Sequence, residues 1–208
     1  MPPRIEGGME KAGIDVLHGE ARFTGPDTIE LNCKTLTAKH FHIATGARPM
    51  TLNIPGEEHL TTSTEFLELP ERPDRIAFVG GGFIAMEFAH IVKRAGARDV
   101  TVLEMADRPL GNFDPDLVEM LVEGTAELGI DLRTKAKVAK IEKQGDEFVV
   151  TVERAGGTET VTCDLVVHGT GRVPNIDRLN LEAAGVEYSR RGIKVNDAMR
   201  TTNPTIFA

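Results

Sequence analysis

The sequence contains no long apolar run and no excess of positive charge, and each absence excludes a kind of protein. None of its 208 residues lies in an apolar stretch long enough for a transmembrane helix. The formal net charge is −8, from 24 Lys and Arg against 32 Asp and Glu. This balance argues against non-specific binding to nucleic acid or to an anionic membrane. The first residues lack the apolar core of a signal peptide, so we expect a cytoplasmic protein.

Cysteine is scarce, and histidine is scattered. The 2 cysteines, Cys33 and Cys163, lie far apart and form no Cys-x-x-Cys or longer redox pair. We interpret both as reduced, partly buried residues of strands. Among the 6 histidines only His40 and His42 are close together, with no carboxylate or cysteine at ligand spacing. We therefore expect no metal site.

The most informative stretch that is present is Gly80-Gly81-Gly82-Phe83-Ile84-Ala85. It follows the apolar run 76–79 and opens a helix-like pattern. Strand, glycine turn and helix in this order suit a dinucleotide pyrophosphate. Gly80 permits the tight turn, Gly82 lets backbone N–H groups approach the phosphates, and small Ala85 lets the helix pack close to the strand.

The surrounding pattern predicts the fold class. From residue 74 onward two strand–helix–strand units follow one another, which predicts a parallel, right-handed arrangement. Between 138 and 163 the apolar residues alternate with a period of two, interrupted by glycine-containing turns, which predicts a three-stranded meander. The prediction is therefore an α/β fold, a Rossmann-like parallel sheet with a three-stranded antiparallel meander.

Several local features are also predicted. The helix after the glycine turn should span 83–95, with an apolar stripe and Gly96 as its end. Asp114 should cap a second helix that begins at Pro115. Residues 14–17 read as a strand. The stripe consists of Ile84, Phe88, Ile91, Val92 and Ala95.

An acidic side chain follows the next predicted strand. Glu104 lies about 20 residues past the glycine turn, where a carboxylate accepts hydrogen bonds from both ribose hydroxyls and repels a 2′-phosphate. This favours NAD, while the nearby cations Arg98 and Arg108 keep NADP as the less favoured alternative. The other interpretation of Glu104 is a solvated carboxylate at a strand end. Glu87 is predicted on the first turn of the helix, where an acid complements the helix dipole.

Three further segments accompany the glycine turn: Ile43–Pro49, Gly169–Asn175 and Thr201–Ala208. With these four motifs in order, the whole chain resembles the FAD- and NAD(P)-dependent pyridine nucleotide-disulfide oxidoreductases, of the lipoamide dehydrogenase, glutathione reductase and mercuric reductase type. The position of Glu104 is most similar to that in the NAD-using lipoamide dehydrogenases. The resemblance implies an oxidoreductase that acts on a sulfur group and passes hydride between NADH and FAD.

The resemblance also implies cofactor-binding residues, but no catalytic residue and no metal ligand. Ala21, Thr45 and Gly46 would lie beside FAD. Glu87 matches a family glutamate near the nicotinamide that pairs with a lysine outside this chain. The other residues implied at NAD are Gly80, Gly82, Phe83 and Ile84 (pyrophosphate and ribose), Glu104 (adenosine ribose), Val138 (adenine) and Gly171 (nicotinamide side).

Parts of the family pattern are missing from the sequence. These are the first glycine-rich FAD turn, a Cys-x4-Cys redox pair, an Ala-x-Gly-Asp segment expected just after Ala208, and a C-terminal dimerisation domain. The resemblance therefore implies a central fragment. Residues 1–72 would be the C-terminal part of an FAD-binding domain, 73–170 an NAD-binding domain, and 171–208 a return segment to the FAD domain, so that partial flavin-domain segments flank the sheet.

These expectations define what the chain should do. The isolated chain should bind NADH but be inactive, because FAD would need the missing segments. The complete enzyme should be a homodimer. The alternatives are a stand-alone nucleotide-binding module without redox turnover, and one half of a split flavoenzyme. The electron-acceptor substrate is not predicted.

Overall fold

The structure, a computed structural model, describes residues 3–208, and the chain divides into two compact units. The sheet unit is Pro49–Arg172, and the split unit combines Met1–Arg48 with Val173–Ala208. Within residues 3–208, no helix has the length and apolar character that crossing a membrane requires.

The helices and strands have the following bounds. The helices are α1 (Pro3–Lys11), α2 (Ser63–Leu67), α3 (Phe83–Arg94) and α4 (Pro115–Glu127). The strands are β1 (Ala21–Gly25), β2 (Thr28–Leu31), β3 (Lys34–Thr37), β4 (Phe41–His42), β5 (Ala47–Pro49), β6 (Arg75–Val79), β7 (Asp99–Leu103), β8 (Asp131–Arg133), β9 (Lys137–Gln144), β10 (Glu147–Arg154), β11 (Gly157–Cys163), β12 (Leu165–His168), β13 (Arg172–Pro174), β14 (Tyr188–Ser189), β15 (Gly192–Ile193) and β16 (Ile206–Phe207).

The sheet unit contains a four-stranded parallel sheet in the order β12-β6-β7-β8. Both faces of its strands are covered, as near-continuous apolar runs in a parallel sheet require. Ile76 and Phe78 lie in the cluster that includes α3, whereas Ala77 and Val79 lie in the cluster on the opposite face. The predicted α/β class with a Rossmann-like sheet is confirmed.

The meander β9-β10-β11 is antiparallel and covers that opposite face. Val138, Val150 and Val152 are buried together with Ala77 and Val79 of β6. The period of two along these strands places alternate residues in this cluster, so the predicted three-stranded meander is confirmed.

Helix α3 begins at the predicted residue, Phe83, and ends at Arg94, one residue before the predicted end; Gly96, with φ 94°, follows its C-cap residue. The predicted apolar stripe is partly wrong, because Ile91 is 57% exposed. Small residues let the helix approach the sheet so closely that a Cβ added to Gly169 would lie 2.6 Å from the Cβ of Ala85. The buried residues of α3 are Ala85, Met86, Ala89 and Val92.

Other local predictions had mixed outcomes. Asp114 caps α4 as predicted, because its carboxylate accepts hydrogen bonds from the amides of Asp116 (3.0 Å) and Leu117 (3.4 Å). The predicted strand at 14–17 is wrong, since no regular element forms there. Cys33 is not a partly buried strand residue either. It is exposed, in the turn between β2 and β3, with φ 63°.

The amino ends of the parallel strands are fastened by ion pairs. The guanidinium of Arg75, at the start of β6, donates from Nε to Asp164 (3.0 Å) and from Nη2 to Glu147 (2.6 Å) and to Asp164. The backbone amide of Arg75 also donates to Asp164 at 2.9 Å. Hydrogen bonding from Arg75 lowers the pKa of Asp164 below its ordinary value. These contacts connect β6, β10 and the start of β12.

The segment before β6, residues 49–74, belongs to the same compact unit as the parallel sheet. The amide of Thr61 donates to Val166 (2.8 Å), and the amide of His168 donates to Thr61 (2.9 Å), beside β12. The compact unit therefore begins at Pro49 rather than at residue 73. The assignment of 1–72, 73–170 and 171–208 to cofactor domains stays a prediction.

The split unit contains short sheets around its own core. The sheets are β1-β2-β3, β14-β15 and β16-β4. Phe23, Ile176, Leu181 and Ile206 are among the residues buried in the core.

Candidate functional site

A cleft of about 700 Å³ opens at the carboxyl ends of the parallel strands, and every residue that lines it belongs to the sheet unit. It lies where β6, β7 and β12 end and α3 begins, and its lining includes Val79, Leu103 and His168. Strand β6 is followed in sequence by β7 on one side, whereas β12 joins it on the other. Ligands of open α/β sheets bind at such a switch in strand order.

The glycine turn at the centre of the cleft leaves little room for side chains. Gly80 has φ 95°, and a Cβ there would lie 2.7 Å from the carbonyl group of Gly169 and 2.8 Å from the amide nitrogen of Thr170. A Cβ on Gly82 would lie 3.2 Å from the oxygen of Gly169. The turn is therefore held against the segment that follows β12, and backbone rather than side chains faces the cleft at this point.

Glu104, at the end of β7, is tied to the turn by backbone hydrogen bonds. Its Oε2 accepts from the amide of Gly81 at 2.5 Å, and its Oε1 accepts from the amide of Ala106 at 2.6 Å. The interpretation of Glu104 as a merely solvated carboxylate therefore does not describe it. Each carboxylate oxygen has a second lone pair that can accept from a ligand.

Gly81 is crowded by Glu104 and by Pro109 in the loop that follows β7. A Cβ added to it would lie 2.9 Å from Oε2 of Glu104 and 3.0 Å from the Cβ of Pro109. The carbonyl of Gly81 accepts from the amide of Leu110 at 2.9 Å. The second glycine of the turn thus serves the packing of Glu104 and of the segment that follows it.

Arg108 organises the loop between β7 and α4. Its Nη2 donates to the carbonyls of Gly111 (2.9 Å) and Phe113 (3.1 Å), and all three residues line the cleft. Among residues 3–208, Nη1 of Arg108 is the buried side-chain nitrogen or oxygen without a hydrogen-bond partner. Arg98, by contrast, precedes β7 at its amino end and donates to Asp99 at 2.9 Å. Of the two cations predicted near Glu104, only Arg108 lies at the cleft.

The other side of the cleft is formed by the residues that follow β12. His168 is buried, with 8% exposure, and lines the cleft together with Thr170 and Met50. Its Nε2 is 2.7 Å from the carbonyl oxygen of Met50 and 3.0 Å from Oγ1 of Thr170. The sequence offered no signal for this polar group, because a histidine at the end of an apolar strand has no motif of its own.

The predicted site residues fall into three groups. Glu87 is exposed on α3, does not line the cleft, and lies beyond the first turn of the helix, so the dipole interaction predicted for it is wrong. Ala21, Thr45 and Gly46 belong to the split unit and do not line this cleft. The residues that do line it are Gly80, Gly82, Phe83, Ile84, Glu104, Val138 and Gly171.

Comparison with known proteins identifies the family. A family model described as pyridine nucleotide-disulphide oxidoreductase matches residues 1–208. The chain belongs to this family. The resemblance inferred from its four motifs is thereby confirmed.

Within residues 3–208, no group of three or more His, Cys, Asp or Glu side chains is arranged to hold a metal ion.

Individual relatives of this chain are considerably longer than it is. A mercuric reductase from Staphylococcus aureus is 37% identical over 203 residues, which cover 96% of this chain and 37% of the relative. A glutathione reductase from Burkholderia cepacia is 36% identical, over 96% of this chain and 44% of the relative. The solved structure of the HOCl-induced flavoprotein disulfide reductase RclA from Escherichia coli matches with a TM-score of 0.85 and 28% identity, over 99% of this chain and 48% of that one. The chain spans less than half the length of each.

Proposed function

We propose that this chain is the NAD(H)-binding portion of a flavoprotein oxidoreductase that passes hydride between NADH and FAD and acts on a sulfur group, as lipoamide dehydrogenase does. The observation that carries the proposal is the backbone cradle at the glycine turn. A Cβ at Gly80 or Gly82 would approach the backbone after β12, and the amino end of α3 lies directly behind the turn. Such a cradle fits a pyrophosphate, which backbone N–H groups and the positive end of a helix bind well.

The strand order supports a path for the dinucleotide across the cleft. Glu104 at the end of β7 fits the adenosine ribose, and the turn after β6 fits the pyrophosphate. The nicotinamide would then lie towards the residues after β12, including Gly171. Phe83, Ile84 and Val138 line the cleft as well, in keeping with the roles proposed for them from the family resemblance.

The environment of Glu104 supports NAD over NADP. Both carboxylate oxygens are fixed by backbone donors and lie at the cleft. A fixed carboxylate accepts from the 2′- and 3′-hydroxyls of a ribose and repels a 2′-phosphate. Arg98, one of the two cations that favoured NADP, is engaged with Asp99 at the opposite end of β7.

The role of FAD follows from the family. We propose that Ala21, Thr45 and Gly46 lie beside FAD in the complete enzyme, and that Glu87 approaches the nicotinamide there. Bound FAD would supply the acceptor for the hydride. Transfer requires reacting atoms about 3–3.5 Å apart, so we expect this chain alone to show no turnover. We also propose that the complete enzyme is a cytoplasmic homodimer.

The test is a calorimetric titration of the 208-residue chain with NADH and with NADPH. We expect NADH to bind more tightly. Glu104→Ala should weaken NADH binding by roughly 10- to 100-fold, the range for hydrogen bonds to a charged group. It should weaken NADPH binding less, since repulsion of the 2′-phosphate is removed as well. Glu123→Ala is the control, because Glu123 is exposed on α4 and does not line the cleft. A preference for NADPH in the unmodified chain would contradict the proposal.

A second candidate function is a nucleotide-binding module without redox turnover. It is favoured by one observation, that all residues lining the cleft belong to one compact unit. The two functions are distinguished by supplying FAD and NADH together and recording flavin absorbance. Tight FAD binding followed by bleaching with NADH would exclude the module. Binding of NADH with no retention of FAD would favour the module or one half of a split enzyme.

A further inference from the structure

On the β12 side of the cleft, one ring nitrogen of His168 lies within hydrogen-bonding distance of two oxygen atoms. Nε2 of His168 lies 2.7 Å from the carbonyl oxygen of Met50 and 3.0 Å from Oγ1 of Thr170. All three residues line the cleft and belong to the sheet unit. The histidine is 8% exposed, so its hydrogen bonds are made largely out of water and an unmatched donor there would be costly.

The chemistry of these groups determines where the hydrogen atoms lie. A carbonyl oxygen can only accept, so Nε2 of His168 must carry a hydrogen atom to bond Met50. Nε2 then has no free lone pair and cannot accept from the hydroxyl of Thr170. Oγ1 of Thr170 is therefore an acceptor towards His168, and its own hydrogen atom points elsewhere. Thr170 is half-buried and lines the cleft, where this hydrogen atom is available to a ligand.

The fold places this donor away from the adenosine end of the proposed site. Thr170 follows β12, whereas Glu104 follows β7, and β6 with its glycine turn lies between the two strands. The amide nitrogen of Thr170 is next to the turn, 2.8 Å from the position of a Cβ on Gly80. A dinucleotide whose ribose is held at Glu104 and whose pyrophosphate lies on the turn must extend its second nucleotide towards Thr170.

We propose that the hydroxyl of Thr170 donates a hydrogen bond to the carboxamide oxygen of the nicotinamide group of the bound dinucleotide, and that His168 orients this hydroxyl. The inference rests on the proposed function and adds to it a specificity residue, Thr170, and a positioning residue, His168. The adenosine end supplies a carboxylate that accepts, and the nicotinamide end supplies a hydroxyl that donates.

The experiment compares NADH with ADP-ribose, which shares the adenosine, the pyrophosphate and the second ribose but lacks the nicotinamide. Thr170→Val keeps the branched shape and removes the hydroxyl, whereas Thr170→Ser keeps the hydroxyl. We expect Thr170→Val to weaken NADH roughly three- to tenfold, the effect of one neutral hydrogen bond. ADP-ribose should bind this variant within about twofold of the unmodified chain, and Thr170→Ser should restore most of the NADH affinity.

His168 is tested by coupling rather than by a single substitution, because its loss also leaves the Met50 carbonyl without a donor. His168→Gln keeps a side-chain N–H, and His168→Phe removes it. We expect His168→Phe to weaken NADH selectively over ADP-ribose, and adding Thr170→Val to cost little more, since both act on one hydrogen bond. His168→Gln should retain more of the selectivity. Melting temperatures of all variants show whether each remains folded.

The outcomes separate this inference from the proposed function. If Thr170→Val weakens NADH and ADP-ribose equally, or neither, Thr170 does not bind the nicotinamide group and the inference is wrong. Additive effects of His168→Phe and Thr170→Val would exclude the orienting role of His168. If the unmodified chain binds ADP-ribose and NADH equally well, the nicotinamide makes no contact and the inference also fails, while the nucleotide site stands. Failure to bind either ligand would overturn both.

Discussion

The two ends of the parallel sheet use polar side chains in opposite ways. At the amino ends, Arg75 bonds to both Asp164 and Glu147, and these charges satisfy one another. At the carboxyl ends, the polar groups are held by backbone amides or by another side chain and, as we propose, keep hydrogen-bonding capacity for a ligand. Glu104 is fixed by the amides of Gly81 and Ala106, and Thr170 is fixed by His168. We interpret the amino end as stabilising the unit and the carboxyl end as the candidate ligand site.

Sequence position alone does not distinguish these ends. Asp164 and Glu104 are both carboxylates next to strand termini, and both accept backbone hydrogen bonds. What differs is the third partner, which is a guanidinium for Asp164 and an open cleft for Glu104. A substitution at the amino end should therefore change stability, and one at the carboxyl end should change binding.

The largest effect is expected at Gly80, where the turn between the two sides of the cleft is tightest. Gly80→Ala combines a positive φ of 95° with a Cβ 2.7 Å from the Gly169 carbonyl, and should cost about 2–5 kcal/mol of unfolding free energy. Gly96→Ala is the matched control, since its φ is 94° and nothing lies within 4 Å of its added Cβ. It should cost about 1–2 kcal/mol. Equal losses in urea denaturation would show that the close approach after β12 contributes nothing.

Asp164→Asn should lower the melting temperature without changing NADH affinity. Hydrogen bonding from Arg75 lowers the folded-state pKa of Asp164 below its ordinary 3.8. The stability from this pair is therefore present above pH 3.8 and is lost as the pH falls through the lowered pKa. The difference in melting temperature between the variant and the unmodified chain should shrink as the pH is lowered below about 4. A loss of NADH affinity in a folded variant would contradict the separation of the two ends.

Arg108→Met should weaken NADH binding by roughly three- to tenfold. The reason is that the carbonyls of Gly111 and Phe113, in the loop on the proposed adenosine side of the cleft, lose a common charged donor. NADH and ADP-ribose should be affected alike, in contrast to the selective effect expected at Thr170. Arg98→Met is the matched control, since Arg98 lies at the amino end of β7. If both arginine variants bind as the unmodified chain does, Arg108 does not hold the loop for the ligand.

The smallest expected signal is a lack of reaction at Cys163, close to the amino end of β12. Burial raises the pKa of Cys163 to about 12, while Cys33 is exposed. A thiol reagent at pH 8 should label one cysteine in the folded chain and both in denaturant. The Cys33→Ser variant should show no rapid labelling. Rapid reaction of Cys163 in that variant would mean that the amino end opens readily.

Periodicity predicted the sheet unit well, because its interactions are local or repetitive. The strand, glycine turn and helix at 76–95 and the cap at Asp114 follow from short-range rules of backbone geometry. The meander followed from a change of period. The stripe of α3 was partly wrong because close packing against Gly169 places small Ala85 on the buried face, and this contact depends on the segment after β12, which is distant in sequence.

The candidate site was predicted at its glycines and at Glu104, where a motif carries the chemistry. It was missed at Gly81, His168 and Thr170, because their partners are distant in the sequence or are backbone atoms. The bond from His168 to the Met50 carbonyl joins residues 118 positions apart. Arg98 and Arg108 looked equivalent by spacing, yet they lie at opposite ends of β7. The roles assigned to Ala21, Thr45, Gly46 and Glu87 stay predictions.

The hydrogen bond between Gly81 and Glu104 restricts how the proposed cofactor preference of this chain could be re-engineered. Replacing Glu104 with a cationic residue to admit a 2′-phosphate would also remove the acceptor of the Gly81 amide. The space beside Gly81 is tightly bounded by residue 104 and Pro109. A longer side chain at position 104 would have to fit into it. A change of preference would therefore require coordinated substitutions in the turn and in the loop after β7. Under the proposed function, cofactor choice and the shape of the phosphate cradle therefore depend on the same hydrogen bond.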